Sequence, residues 1–274
     1  MNIKRSSSLI LRHFYLIRSS FPRIFDLIYW PTVQILLWGF ISKFFTMYSD
    51  YFNNVAGVIL SAAILYDFLF RSSISYNMLF LEEIWSRNII NLFVSPLRIS
   101  EIIFALTSSA LIRTLIGLVP AALIAIPLFG ISILELGLPL ILLLFSLYLF
   151  GITLGLLVTA GLVRFGPSFE NVAWASLFFI APLGCIYYPV DILPNWIQPI
   201  ALGLPLAHIF EETRNILVNQ TVDLKNIYYA ILLNLIYLFL AISIFYKSFS
   251  SAKKNGTLVN IGIIFSNWIC FLSS

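Results

Sequence analysis

The sequence predicts an all-α integral membrane protein with six transmembrane helices, and three observations lead there. First, 60% of the 274 residues are hydrophobic and only 10% are charged, with a mean hydropathy of +0.97. A water-soluble particle of this size cannot hide so much apolar surface. Second, the apolar residues form long continuous runs of Leu, Ile and Phe. A β-barrel would need many alternating segments of about ten residues instead. Third, the charges are pushed into the gaps between runs, with a strong bias in sign between alternate gaps.

A span needs roughly 20 mostly apolar residues to cross a hydrocarbon core of ~30 Å. Segments 27–45, 54–70, 102–129, 138–163, 172–188 and 227–246 qualify. The third and fourth are long enough to tilt or to extend beyond the bilayer. Ahead of them, Lys4, Arg5, Arg12, Arg18 and Arg23 are scattered through the first 26 residues. They do not precede one apolar core, so a cleaved secretory signal is not expected. Ile10, Phe14, Ile17 and Phe21 recur at helical steps, so this segment reads as an interfacial helix, with an ordinary basic flank as the alternative. One domain, 1–274, is expected: an interfacial N-terminal helix over 1–26, a six-helix bundle over 27–247, and a cytoplasmic or interfacial tail over 248–274. Within that tail, 258–272 is apolar but interrupted by Asn260, Ser266 and Asn267, which favours a packed or interfacial segment over a seventh crossing.

Lys and Arg number twelve on one side of this topology and two, Arg214 and Lys225, on the other. Lys43 and Arg113 sit within or beside spans and belong to neither sum. By the positive-inside rule both termini are cytoplasmic, and so is the segment after Glu82. The net charge of +4 comes without an aromatic-interleaved basic groove, so anionic lipids rather than nucleic acid account for it.

Two gaps are unusual. Residues 82–98 are charged and amphipathic: Trp85, Ile89, Leu92 and Phe93 fall on one helical face, and Glu82, Ser86, Arg87 and Asn91 on others, with Pro96 ending the run. This describes a short helix on the membrane surface, able to meet a soluble partner. Residues 188–214 are divided by Pro189, Pro194, Pro199 and Pro205 and carry Trp196. Two short helices dipping into the outer leaflet fit best, with an ordinary extracellular loop as the alternative; broken backbone at membrane depth must be covered by protein or line a cavity.

These two gaps, with the six-span order and the chain length, resemble the ABC-2 type permeases, the membrane subunits of type-2 ATP-binding-cassette exporters. The resemblance rests on Arg87-Asn88-Ile89 through Leu92-Phe93-Val94-Ser95-Pro96-Leu97, on Pro189 to Pro194-Asn195-Trp196, and on Pro205 through Glu211 to Arg214. It implies two paired permease copies, expected to form a homodimer, each docking a separately encoded ATPase, so that two soluble ATPase copies complete the complex. Carried over, Glu82, Glu83, Trp85, Arg87 and Asn88 would form the ATPase-coupling helix, and Pro194, Trp196, Glu211 and Arg214 would support an extracellular gate. Glu211 and Arg214 at i, i+3 also suit a simple helix-surface ion pair.

The chain has no Gly-rich loop ending in Gly-Lys-Ser or Gly-Lys-Thr, so it is not expected to be an enzyme: ATP and magnesium belong at the partner, and no cofactor is bound here. Cys185, Cys270, His13 and His208 lack ligand spacing, and no metal site is expected. A possible substrate path draws on Trp38, Phe178 and Tyr187, and on Arg113, whose permanent charge would contact an anionic group or a carbonyl or snorkel to an interface. The expected function is export of an amphipathic substrate, such as a glycolipid, lipid-linked polysaccharide or hydrophobic drug, across a bacterial inner membrane. A lipid-modifying enzyme would show clustered His or carboxylates at the interface. A gradient-driven carrier would show a mid-membrane proton relay and an internal repeat; Asp67 is expected near the cytoplasmic end of the second span.

Overall fold

The computed structural model describes residues 3–48, 53–86, 88, 89, 91, 95, 97–129 and 136–254. Arg87, Leu92, Phe93, Val94, Pro96 and the apolar tail 258–272 lie outside the described residues. The described chain is built from helices α1 (Ile3–Arg18), α2 (Phe21–Tyr48), α3 (Asn53–Trp85), α4 (Ile99–Phe129), α5 (Pro139–Phe165), α6 (Glu170–Leu183), α7 (Gln198–Leu202), α8 (Pro205–Asn219) and α9 (Leu224–Lys254). Short 3-10 turns at Pro167–Phe169 and Val190–Ile192 join them. Among the described residues no strand occurs.

α1 is amphipathic, but the face it buries is not the expected stripe. Ser6, Leu9, His13 and Ile17 are buried, whereas Phe14 and Phe21 are exposed. A polar residue at the centre of the buried face hid the true period from a reading of apolar residues alone. Ser20 then turns the chain by accepting from the backbone N–H groups of Arg23 (3.1 Å) and Ile24 (3.3 Å), so α2 starts six residues ahead of the expected span.

α3 runs for 33 residues instead of ending near residue 70. The stretch 71–85 looks too polar to span, yet Ser72, Ser73, Ser75 and Asn77 are buried. Two of them are hydrogen-bonded inside the bundle: Ser72 donates to the Leu69 carbonyl (2.7 Å), Asn77 donates to the Ser73 carbonyl (3.1 Å) and accepts from Thr159 of α5 (3.0 Å), whereas Ser73 Oγ has no partner among the described residues. Hydrogen-bonded hydroxyls and amides carry little of their usual burial cost. α3 packs on α5 where the latter presents Gly151 and Gly155. A Cβ on Gly151 would sit 2.0 Å from Ser72 Oγ, and one on Gly155 2.9 Å from Tyr76 Cβ, so the glycines set how closely these helices approach.

α9 covers another side of α5, α2 and α3 pack on α4, and α1 lies against α4. Pro31 leaves the Leu27 carbonyl without its intrahelical donor. Gly117 of α4 comes close to that oxygen, where a Cβ would stand at 2.5 Å.

Among the described residues, five helices are long and apolar enough to cross a membrane, over 21–47, 57–85, 99–129, 139–165 and 224–254. The expected fifth span is instead the 14-residue α6, about 21 Å long and shorter than a hydrocarbon core. Pro182 and a turn at Gly184 and Cys185, the latter left-handed at φ 51°, end it before Tyr188. The up-and-down order places α1, the starts of α2, α4 and α6 and the ends of α3, α5 and α9 at one end of the bundle, called the inner end after the orientation expected from the charge bias. The loops at the opposite, outer end include the clamp described below.

Candidate functional site

At the inner end, Glu83 stands in the last turn of α3 with its side chain only 3% exposed. A carboxylate there needs partners, and it has three. Arg12 Nη1 donates to both carboxylate oxygens (2.5 and 2.6 Å), His13 Nε2 lies 3.0 Å from Oε1, and Asn88 Nδ2 donates to Oε2 at 2.7 Å. His13 Nδ1 faces Ser109 Oγ of α4 at 3.1 Å. In the tautomer with the proton on Nε2, the ring donates to Glu83 and accepts from Ser109. The Asn88 backbone N–H also donates to the Glu83 carbonyl at 3.0 Å. One carboxylate therefore ties α1, α3 and the segment after α3 together, and His13 extends the tie to α4.

This geometry corrects the expected place of Glu82 and Glu83 on a surface helix. Glu82 and Glu83 belong to α3 itself, and both turn inward. Arg113 Nη1 donates to Glu82 Oε1 at 3.0 Å, with both side chains largely buried. A guanidinium in an apolar span requires a counter-ion, and Glu82 supplies it from within the chain. Arg113 is therefore an internal structural pair, which removes the ground for reading it as a free cation on a substrate path. Trp85, expected on the anchoring face, is 44% exposed, while Ile89 is buried. Among the described residues, the surface beyond α3 thus presents Trp85, Ser86 and Asn91.

At the outer end, α8 carries a clamp. Glu211 Oε1 accepts from the Val190 N–H (2.8 Å) and forms an ion pair with Arg214, whose Nη2 lies at 2.9 Å. Arg214 Nη1 donates to the carbonyls of Cys185 (2.9 Å) and Ile186 (3.3 Å). The left-handed turn at Cys185 turns these carbonyls toward α8. The expected i, i+3 ion pair exists, and it also fixes the broken segment 185–190. Glu212 is fully buried, accepting from the Asp223 N–H (2.8 Å) and Asn226 Nδ2 (3.2 Å) at the start of α9. Cys185, Val190, Ala201 and Ala207 form a small separate core beneath the segment. Pro194 and Trp196 are exposed and take no part in the clamp.

Of the expected path residues, Trp38 and Tyr187 stack at 4.7 Å between ring centroids. Phe178 is 65% exposed and meets Phe70 edge-on. Because α3 continues 18 residues past Asp67, about 27 Å, this carboxylate lies near mid-helix rather than at the cytoplasmic end. Arg71 accompanies it at 3.4 Å, which also takes Arg71 out of the loop charges and leaves eleven against two.

Sequence reasoning missed the roles of Arg12, His13 and Ser109, and it saw Glu212 beside Glu211 without its tie to the start of α9. His13 and Glu83 are 70 residues apart and His13 and Ser109 are 96 apart, so no local spacing links them. The available signal was the presence of His13 four residues from both Leu9 and Ile17.

A family model described as ABC-2 type transporter matches residues 14–218, from the middle of α1 to the end of α8. No curated protein matches the chain. The matched region contains the end of α3, the segment after it and the α8 clamp, so the chain belongs to the ABC-2 type transporter family.

Proposed function

We propose that this protein is the permease subunit of an exporter that moves an amphipathic substrate, such as a glycolipid, lipid-linked polysaccharide or hydrophobic drug, outward across a bacterial inner membrane. Family membership makes it the membrane component of a transporter that works with an ATPase subunit. Two permease copies, taken as identical, pair with two ATPase copies. ATP and magnesium act at the ATPase, and this chain binds neither. Both termini are cytoplasmic. The segment from Glu82 through Trp85, Arg87 and Asn88 joins permease to ATPase, with Trp85 at the contact and the two buried glutamates as its anchors. The six-span topology counts α6 as the shorter fifth crossing, continued outward by the clamped segment.

The observation that carries this reading is the Glu83 cluster. A docking segment transmits movement only if it is rigidly joined to the helices that must move, and three elements converge on one buried carboxylate beside it. Closure of the ATPases on nucleotide would pull on Asn88 and the end of α3, and through Arg12 and His13 on α1 and α4. At the outer end, Glu211 and Arg214 hold the segment that would open, with the exposed Pro194 and Trp196 at its rim. The Trp38–Tyr187 stack and Phe178 offer aromatic surface to a passing substrate. The chain should co-purify with a soluble ATPase whose hydrolysis is uncoupled from export when Trp85 and Arg87 are replaced together. Export by the purified chain without nucleotide would reject the proposal and favour a gradient-driven carrier.

A further inference from the structure

We infer that a cavity between the start of α4 and the end of α9 binds the phosphate headgroup of an anionic phospholipid. The cavity has a volume of about 480 Å³ and is lined by Arg98 and Ser100 on one side and by Tyr246, Phe249, Ser250 and Lys253 on the other. Arg98 and Lys253 are exposed and make no ion pair among the described residues. The nearest acid in the sequence, Glu101, is buried and accepts from the backbone N–H of Arg98 at 3.0 Å, and among the described residues no acid lines the cavity. Two cations without an ion pair among the described residues and the hydroxyls of Ser100, Tyr246 and Ser250 therefore line a space whose remaining walls are apolar.

The position selects the ligand. α4 and α9 are both long enough to span, so the last turns of α9 and the first turn of α4 stand where hydrocarbon gives way to headgroups. A soluble anion would gain nothing from the half-buried Leu97 and Ile99 and the exposed Tyr246, whereas a phospholipid lays its acyl chains along them and presents its phosphate to Arg98 and Lys253. An anionic lipid adds to this a net charge that a zwitterionic lipid lacks. The site depends on neither an ATPase nor a transported substrate.

The test uses the full-length protein in neutral detergent, titrated with dioctanoyl phosphatidylglycerol, dioctanoyl phosphatidylcholine or inorganic phosphate. The phosphatidylglycerol should bind at least tenfold more tightly than the phosphatidylcholine, weaken as salt rises, and resist displacement by millimolar phosphate. In the double variant Arg98→Gln/Lys253→Gln its affinity should fall roughly 30-fold, the loss of two cations near an anionic headgroup, while Arg98→Lys/Lys253→Arg keeps it. Ser250→Trp, which retains both charges but fills the space, should also abolish binding and serves if the glutamine pair fails to fold. Unchanged phosphatidylglycerol affinity in either loss variant overturns the proposal. So does displacement by inorganic phosphate alone, which would mark a soluble-anion site.

Discussion

Removing the Glu83 carboxylate should loosen α1 from the bundle by an amount the geometry bounds. Glu83→Ala strands Arg12, His13 and Asn88 at once, whereas Arg12→Ala leaves the carboxylate with His13 and Asn88. Breaking a fully buried ion pair from one side costs about 3–5 kcal/mol, and an exposed pair is worth about 0.2–1 kcal/mol. The Glu83 side chain is 3% exposed and that of Arg12 is 34% exposed, so this pair falls between the two limits. A double-mutant cycle should give a coupling of about 1–3 kcal/mol. Because about 1.4 kcal/mol is tenfold in an equilibrium, hydrogen exchange of the α1 amides should accelerate roughly 5- to 150-fold in Glu83→Ala. The assay is exchange in detergent on the native protein, both single variants and the double variant. Additive effects, or α1 protection unchanged in Glu83→Ala, would refute the claim that this carboxylate holds the N-terminal helix.

Three further outcomes follow from the same packing. Glu82→Gln and Arg113→Gln should each lower the thermal midpoint, while the paired change Glu82→Leu/Arg113→Met restores most of it. A lone buried charge is costly, and apolar groups of similar volume can replace a buried pair; equal loss in the pair and the singles would contradict this. Gly151→Ala should reduce folded yield because its Cβ meets Ser72 Oγ at 2.0 Å, and Ser72→Gly should recover part of that yield; no recovery would place the clash elsewhere. In a Cys270→Ser background, Cys185 should resist maleimide until Arg214→Ala releases its carbonyl; rapid labelling of the parent would show that the clamp does not close the segment.

Much of the architecture was legible because the bilayer imposes a coarse constraint. Long Leu- and Ile-rich runs can only be helices, and α4 and α5 were found within three residues of their limits. Polar residues inside the bundle were not legible. Thr159 of α5 donates to Asn77 of α3, and Ser72 is satisfied within α3 by the Leu69 carbonyl, so α3 seemed to stop where it continues, and the glutamates at its end seemed to lie on a surface. The unrecognised length of α3 also misplaced Asp67, and Arg113 was misread because the sequence records a charge but not its distant counter-ion, Glu82. α6 misled in the opposite direction: its apolar run continues to Tyr188, but Pro182 and the left-handed Cys185 turn stop the helix earlier. At the α8 clamp the acid–base spacing was visible, whereas its acceptors in the 185–190 backbone emerge only from the fold.

The central claim is that the end of α3 faces the cytoplasm and receives the ATPase, and vesicle labelling at position 85 tests it most directly. In the Cys185→Ser/Cys270→Ser background, Trp85→Cys should react with a membrane-impermeant maleimide in inverted inner-membrane vesicles, and bound ATPase should protect it. It should remain unlabelled in intact, right-side-out spheroplasts. Labelling from the outer face, or reactivity in inverted vesicles that the bound ATPase leaves unchanged, would contradict the account.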